Sequence, residues 1–424
     1  MKVIVVSTNQ LKKPVPVVPV GAGMIYSSIY EHRYEVAFLD MMFLECPLEA
    51  LTEKLKSFEP DVICLSIRNI DNQVLQKQEF YLPFLKQVII VCRNNSEGKI
   101  VIGGAAMQVM PVELMDYLKA DFGISGYGEQ EIILLLNYLE QNLIIKEGSR
   151  LRTAGNFFNP LLSSLPRKEI FDPRYFNMDS SIKKTIMGYQ TSRGCTGKCI
   201  YCNTGCSEGQ FCRVTLEQLE QDMERLVGEY GISKVTFVDD IFNQDMESTM
   251  EICDSLVHSG RGLQWTCSLN PGTISEELIH SIKKAGCVFV DLGIDSGSDL
   301  ILENMGKGFQ TEHLLILGRL LEKYGIMYSV SLLFGGPGEN EQTVRETIKN
   351  INMLKPVYVL AGMGIRIYPH TSLYEIAVGE GMLKEHEDLL LPSFYKSKEF
   401  SADILKVALA NSEHTYKNML MQIL

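Results

Sequence analysis

The chain has 424 residues, 46% hydrophobic and 22% charged, the composition of a globular protein, which excludes extensive disorder. Its formal net charge of −12 discourages binding to phosphate backbones, and no apolar run approaches a membrane span, so neither nucleic acid nor membrane is an expected partner. The length suits two or three domains. Eleven cysteines behind a start, Met1-Lys-Val-Ile-Val-Val-Ser7, that reads as a strand rather than a signal peptide predict a reduced, cytoplasmic protein with metal chemistry.

Residues 1–140 alternate β-branched runs with longer amphipathic stretches, the pattern of a doubly wound parallel α/β sheet. Strands are predicted at 3–6, 34–39, 61–66, 99–102 and 122–125, giving a flavodoxin-like, Rossmann-type domain whose ligands sit beyond the carboxyl ends of the strands. Those ends carry a Pro/Val segment at 14–21, then Ser66-Ile-Arg-Asn-Ile-Asp-Asn-Gln73, then Gly103-Gly104, and finally Gly126-Tyr-Gly-Glu-Gln-Glu131. Any one of these loops reads as ordinary turn chemistry. Four on one edge form a polar, glycine-bearing rim, with Ser66, Asn69, Asp71 and Asn72 offering hydrogen bonds beside Gly103, Gly104, Gly126 and Glu129. The rim is too extended for a single phosphate and no dinucleotide fingerprint follows the first strand, which suits a broad, hydrogen-bonding cofactor. Glycine at 103 and 104 predicts close backbone approach to that ligand.

Residues 141–184 read as an ordered linker, because Asn156-Phe-Phe-Asn-Pro160, Pro166 and Asp172-Pro173 interrupt any regular period. Its aromatics, Phe157, Phe158, Tyr175 and Phe176, are expected to anchor packing. From 185 to 377 strands and helices alternate at the interval of a β/α barrel, with six strands rather than eight, so a partial (β/α)6 TIM-type barrel is expected. Thr215 is placed as the N-cap of a helix over 215–229, with Gln218 completing a capping box. Residues 378–424 are expected to form a short helical tail, with an amphipathic helix near 402–420.

The first barrel strand, 186–191, runs into Gln190-Thr-Ser-Arg-Gly-Cys-Thr-Gly-Lys-Cys-Ile-Tyr-Cys-Asn203. Cys195, Cys199 and Cys202 stand in the spacing CxxxCxxC, and three thiolates in a glycine-containing loop suit one soft-metal centre. Zinc normally wants a closed set of four ligands, which Cys206 or Cys212 would supply; a 4Fe-4S cluster held by three cysteines leaves one iron open for chemistry. Tyr201 adds a flat apolar surface at the cluster. The second barrel strand, 234–238, ends in Asp239-Asp240, two carboxylates able to bind metal, serve as acid and base, or hydrogen-bond a ligand.

The cysteine spacing, with an aromatic before the last cysteine, resembles the radical S-adenosylmethionine (SAM) superfamily. Phe-Val-Asp-Asp-Ile-Phe at 237–242 is similar to the family motif that holds the SAM amino group, which assigns that role to Asp240. Gly293-Ile-Asp-Ser296 resembles the Gly-x-Glu-Ser loop beside the SAM ribose, with Asp295 in place of the usual glutamate and Ser296 matching directly. The stretch Glu303-Asn-Met-Gly-Lys-Gly308 and the turn Gly335-Gly-Pro-Gly-Glu339 also match family segments, whereas His370 replaces the usual glycine of Pro-Gly-Thr. A lone histidine is commonly structural; at the active face His370 is a candidate substrate contact.

The rim and the domain order resemble cobalamin-dependent radical SAM enzymes, in which a cobalamin-binding domain precedes the barrel. The Asp-x-His-x-x-Gly motif of other cobalamin proteins is absent, and His32 is the only histidine of residues 1–140. The resemblance implies a 4Fe-4S cluster, S-adenosylmethionine and cobalamin as cofactors, and a reductant such as flavodoxin or ferredoxin. It also implies a 5′-deoxyadenosyl radical and methylcobalamin that together methylate an unactivated carbon of a small molecule or small peptide. Relatives with the same cofactors rearrange or close rings without methyl transfer, and the motifs do not separate the two outcomes. Cys46, Cys64 and Cys92 resemble the second-cluster cysteines of methylthiotransferases, but Cys64 falls in a buried strand, where a core cysteine is ordinary. A non-enzymatic cobalamin or metal sensor would not need SAM-type loops after successive strands.

Overall fold

In the computed structural model, which describes residues 1–13, 15–141, 150–153, 165–176, 187–204, 211–410 and 419–421, the five apolar runs of the first part form strands. These are β1 (Lys2–Ser7), β2 (Glu35–Asp40), β3 (Val62–Ser66), β4 (Lys99–Gly103) and β5 (Phe122–Ser125), joined by a sixth, β6 (Leu151–Thr153). The sheet is parallel in the order β2-β1-β3-β4-β5-β6. Helices over Val20–Glu31, Pro47–Phe58, Leu82–Asn95, Pro111–Leu118 and Glu129–Glu140 return the chain between strands. Central strands of such a sheet are covered on both faces, so they read as continuous apolar runs: Val3 to Val6 are at most 1% exposed. The strand β6 escapes sequence reading because Leu-Arg-Thr is too short to show a period.

The chain clusters into two units, Met1–Asn72 with Phe80–Gly188, and Gln73–Glu79 with Tyr189–Leu424. Within the first, residues 165–176 pack onto the domain. A side-chain carbon on Gly23 would lie 2.5 Å from the Phe171 ring and 2.7 Å from Pro166, so glycine there lets this segment lie against the first helix. Tyr175 is fully buried and its hydroxyl donates to Asp40 Oδ2 at 2.6 Å, the anchoring expected of it. Phe157 and Phe158 lie outside the described residues.

The second unit holds β7 (Gly188–Tyr189), β8 (Ser192–Arg193), β9 (Cys212–Arg213), β10 (Lys234–Phe237), β11 (Gln264–Ser268), β12 (Cys287–Asp295), β13 (Met327–Phe334) and β14 (Tyr358–Met363). It continues with β15 (Ile365–Arg366), β16 (Phe394–Tyr395) and β17 (Met419–Met421). Its main sheet runs β17-β14-β13-β12-β11-β10-β7, an open α/β barrel sheet, while β8 with β9 and β15 with β16 form short antiparallel pairs. The six expected strands are present, the first as β7; Ile186 lies outside the described residues. The tail differs from expectation at its end: Ala402–Ala410 is helical, but Met419–Met421, of which the first two residues fall within the expected helix, joins β14 as a seventh strand. An unpaired edge of β14 offers backbone donors and acceptors, and the apolar Met-Leu-Met run satisfies them better as a strand than as the end of a helix.

Alternation along these strands separates two faces. Val235, Phe237, Trp265, Cys267, Val290, Leu292 and Ile294 are buried on one. The other carries Thr236, Thr266, Asp291, Gly293 and Ser329, with Thr236 bonded to Thr266 and Ser329 donating to Asp291. A side-chain carbon added at Gly293 would meet nothing within 4 Å, so the wall is open there.

Candidate active site and cofactor edges

The cluster loop is closed at its base where Ser192 pairs with Arg213 and Arg193 with Cys212. Cys195, Cys199 and Cys202 are half-buried on this loop, none of them in a disulfide; Cys212 lies in β9, and Cys206 lies outside the described residues. The Gly197 N–H donates to Cys195 Sγ at 3.3 Å, and Cys202 N–H to the Cys199 carbonyl at 3.1 Å. Gln244, from the segment after β10, clamps the loop: Thr196 N–H donates to its Oε1 at 2.7 Å, and its Nε2 donates to the Gly194 carbonyl at 3.0 Å. Gly194 has φ +88°, a backbone that favours glycine. Ile200 N–H reaches the Met305 carbonyl at 3.1 Å, and Leu373 N–H the Ile200 carbonyl at 2.8 Å. Among the described residues no three His, Cys, Asp or Glu side chains converge closely enough for a single ion. A set of three thiols suits a 4Fe-4S cluster, whose cysteines sit on separate irons with one iron left open, whereas zinc would want a fourth ligand.

The paired carboxylates after β10 divide sharply. Asp239 is 5% exposed and accepts from Thr191 N–H at 2.7 Å, from Ser192 N–H at 2.9 Å and from the Thr191 hydroxyl. Burial pushes its carboxyl up to about 6, against those donors. Asp240 is exposed. Burial raises the Cys195 thiol to about 11, the Gly197 N–H opposes this, and the charge of Asp240 adds to it, which puts Asp240 within electrostatic reach of the first cysteine.

Asp295 ends β12 and Ser296 follows it, at 5% and 1% exposure. Asp295 has φ +66°, and its Oδ2 receives Tyr201 Oη at 2.5 Å and Lys307 Nζ at 2.7 Å. Ser296 Oγ is bonded to Thr347 Oγ1 at 2.9 Å and accepts from Ser298 N–H at 3.1 Å. Tyr201 is therefore a hydrogen-bonded phenol as well as an apolar plane. Lys307 is a site residue that sequence reading passed over, since only its place in the Met-Gly-Lys-Gly stretch marked it. His370 is exposed at φ +62°, which explains why the resembling motif carries glycine at this position. The neighbouring Thr371 caps the helix Ser372–Gly379, whose second residue contacts the cluster loop.

In the first unit, Ser66, Gly103 and Ser125 end adjacent strands, and Ser66 stands directly opposite Gly103. The expected rim residues thus lie along one carboxyl edge, Ser66, Asn69 and Asn72 half-buried and Asp71 buried, with Gly126 at φ +88° and Glu129 opening the last helix. The two central glycines differ from expectation. At Gly104, φ +99°, a side-chain carbon would lie 2.5 Å from the Ile67 carbonyl oxygen, so the close approach there is to the protein's own backbone. At Gly103 it would meet only the Ile124 carbonyl, at 3.7 Å, so this position is not crowded by the protein's own backbone. His32 closes the first helix, Nδ1 at 2.8 Å from the Ser28 carbonyl, and this helix runs away from the carboxyl edge, so His32 sits at the opposite edge of the sheet. Cys64 and Cys92 are buried core residues, unlike the half-buried cysteines of the loop, and Cys46 is exposed.

Residues 189–351 match the family model described as the Radical SAM superfamily, and residues 11–135 match that of the B12 binding domain. An uncharacterized methyltransferase of Pyrococcus horikoshii is 24% identical over 381 residues, 86% of this chain and 79% of the relative. The tryptophan 2-C-methyltransferase of Streptomyces laurentii is 22% identical over 448 residues, 88% of this chain and 73% of the relative. The fold is similar to that of the radical SAM methyltransferase TsrM from Kitasatospora setae, solved with cobalamin and a [4Fe-4S] cluster: TM-score 0.77, 21% identity, 96% of this chain and 80% of that one. No helix among the described residues is long and apolar enough to cross a membrane. With a B12 binding domain followed by a radical SAM domain, and hence a 4Fe-4S cluster, SAM and cobalamin as cofactors, the chain is a cobalamin-dependent radical SAM enzyme.

Proposed function

We propose that this enzyme methylates a carbon of a small molecule or small peptide. The observation that carries the reading is the conjunction, in one chain, of the B12 binding domain with the three-cysteine loop at the head of the radical SAM domain. Methyltransferase relatives that match most of the chain support it. When bound, the cluster, SAM and cobalamin supply the radical and the methyl group; the protein supplies binding, orientation and exclusion of water.

Cys195, Cys199 and Cys202 hold the cluster, and Asp240, exposed within electrostatic reach of Cys195, accepts hydrogen bonds from the SAM amino group. Asp295 and Ser296, buried and internally bonded, shape the wall next to the SAM ribose. The cobalamin contacts come from Ser66, Asn69, Asp71 and Asn72 together with Gly103, Gly126 and Glu129. The polar inner face of the barrel sheet, Thr236, Thr266, Asp291 and Ser329 around the open position at Gly293, suits a hydrogen-bonding substrate, with His370 a contact at its edge.

The test is an anaerobic reaction with SAM bearing a deuterated methyl group, cobalamin, flavodoxin or ferredoxin as reductant, and fractionated small-molecule and peptide pools. Transfer of the label to carbon of one component is expected. Cleavage of SAM together with a product that has lost or closed a ring and carries no label would replace methylation with rearrangement.

A further inference from the structure

Lys307 and Asp295 form a buried ion pair, Nζ to Oδ2 at 2.7 Å, with both side chains 7% exposed. Lys307 also donates to the Gly293 carbonyl at 2.8 Å and lies 3.3 Å from Tyr201 Oη. Tyr201 is itself part of the cluster loop, immediately before Cys202. Three features hold this unit in place. A register shift between Gly293 and Asp295, where β12 pairs with β13, re-aims the carboxylate. Asp295 keeps a left-handed backbone, φ +66°, which is unfavourable for a non-glycine residue and persists only where its surroundings demand it. Gly306, at φ +69°, brings the Lys307 backbone against the cluster loop so closely that a side chain there would fall on the Lys198 carbonyl.

A buried ion pair is weak evidence for stability, because desolvation offsets most of the attraction. Its position favours another role. Tyr201, bonded to both members of the pair, lies between the second and third cluster cysteines, and a side-chain carbon on Gly306, next to Lys307, would lie 3.7 Å from Cys199 Cα. The ion pair is thereby tied to the stretch of chain that carries two cluster cysteines. Charges and hydrogen bonds around a cluster set its potential, since reduction adds negative charge.

We propose that Lys307 and Asp295, tied to the loop through Tyr201, are positioning residues that set the reduction potential of the cluster. Lys307 favours the reduced cluster, and Asp295 both holds the ammonium in place and attenuates its effect. The proposal rests on Cys195, Cys199 and Cys202 being the cluster ligands.

The test is redox titration, monitored by electron paramagnetic resonance, of anaerobically reconstituted full-length protein, with iron per chain read on the same samples. Lys307→Met should move the midpoint to more negative potential, Asp295→Asn to more positive, and Lys307→Arg should return it close to wild type. A merely structural role would not produce opposite signs. Should Lys307→Met lose its iron, Lys307→Gln, which can still hydrogen-bond Asp295, must give the same negative shift. Fully loaded variants whose midpoints stay at wild type, or move in one common direction, would overturn the proposal and leave the cluster assignment standing. Wild-type protein without a four-iron signal would overturn both.

Discussion

Asp239 and Asp240 are neighbours in the chain with opposite surroundings: the first is buried under two backbone N–H groups and a hydroxyl, the second is exposed within electrostatic reach of the first cluster cysteine. Asp239→Ala would strand the Thr191 and Ser192 donors at the entrance to the cluster loop, costing about 3 kcal/mol and reducing iron retention. Asp240→Ala should keep full iron and the wild-type unfolding midpoint but weaken SAM binding by about tenfold to a hundredfold, the loss of one or two charge-assisted hydrogen bonds. Equilibrium dialysis with labelled SAM checks this, and unchanged affinity would move the contact elsewhere.

Alanine at Cys195, Cys199 or Cys202 should remove the cluster, read as loss of iron and of its visible absorption. Cys212→Ala should retain both, because Cys212 lies outside the CxxxCxxC set. Loss of the cluster in Cys212→Ala would make it a fourth ligand.

The two rim glycines give a contrast that does not depend on the identity of the substrate. Gly103→Val should abolish cobalamin uptake, followed by its absorption spectrum, while the cluster stays intact, since the first carbon of the new side chain makes only an ordinary contact with the Ile124 carbonyl, at 3.7 Å, and the fold can hold it. Gly104→Val should lower stability by about 2 kcal/mol or more whether cobalamin is present or not, through collision with Ile67 and a strained left-handed backbone. Normal cobalamin uptake by Gly103→Val would contradict the placement of the cofactor.

Much of this was legible from the residues. The strands of the first unit announce themselves as apolar runs because helices cover both faces, and Thr215 caps its helix as expected, accepting from Gln218 N–H at 3.2 Å. The cysteine loop is legible because its ligands are close in sequence. The division of labour between Asp239 and Asp240 is not, since nothing local says which carboxylate turns inward. Nor is the union of Tyr201 with Asp295 and Lys307, partners 94 and 106 residues away, or the burial of Ser296 against Thr347. Short strands such as β6 and β17 exist only because a sheet edge recruits them.

Glu339 gives the second unit a pH dependence. Its carboxyl is fully buried and pushed up to about 7 by burial, against donation from the Gly335 and Gly336 N–H groups. A carboxyl whose folded pKa lies above its unfolded value, about 4.3, contributes stability that is complete below that value and lost as pH rises through about 7. Glu339→Gln should therefore gain about 1–3 kcal/mol over wild type at pH near 8 and nothing near pH 4, as read by denaturant titration. Identical profiles would show that Glu339 titrates normally.

His370→Gly should raise stability by about 1 kcal/mol by relieving the left-handed backbone at φ +62°. If the imidazole contacts substrate, the same change lowers turnover without altering iron or SAM binding. Unchanged turnover would leave His370 with no role in the reaction.

The hydrogen bonds from Ile200 to Met305 and from Leu373 to Ile200 have a consequence for biosynthesis. A cysteine motif spanning eight residues looks like something that could capture its iron as soon as it leaves the ribosome. Here the loop reaches its final form only after chain up to residue 373 has been made and folded back onto it. Maturation of the metal centre is thereby deferred until most of the catalytic domain exists, and nascent chains stalled before that point should expose three unprotected thiols to the cell.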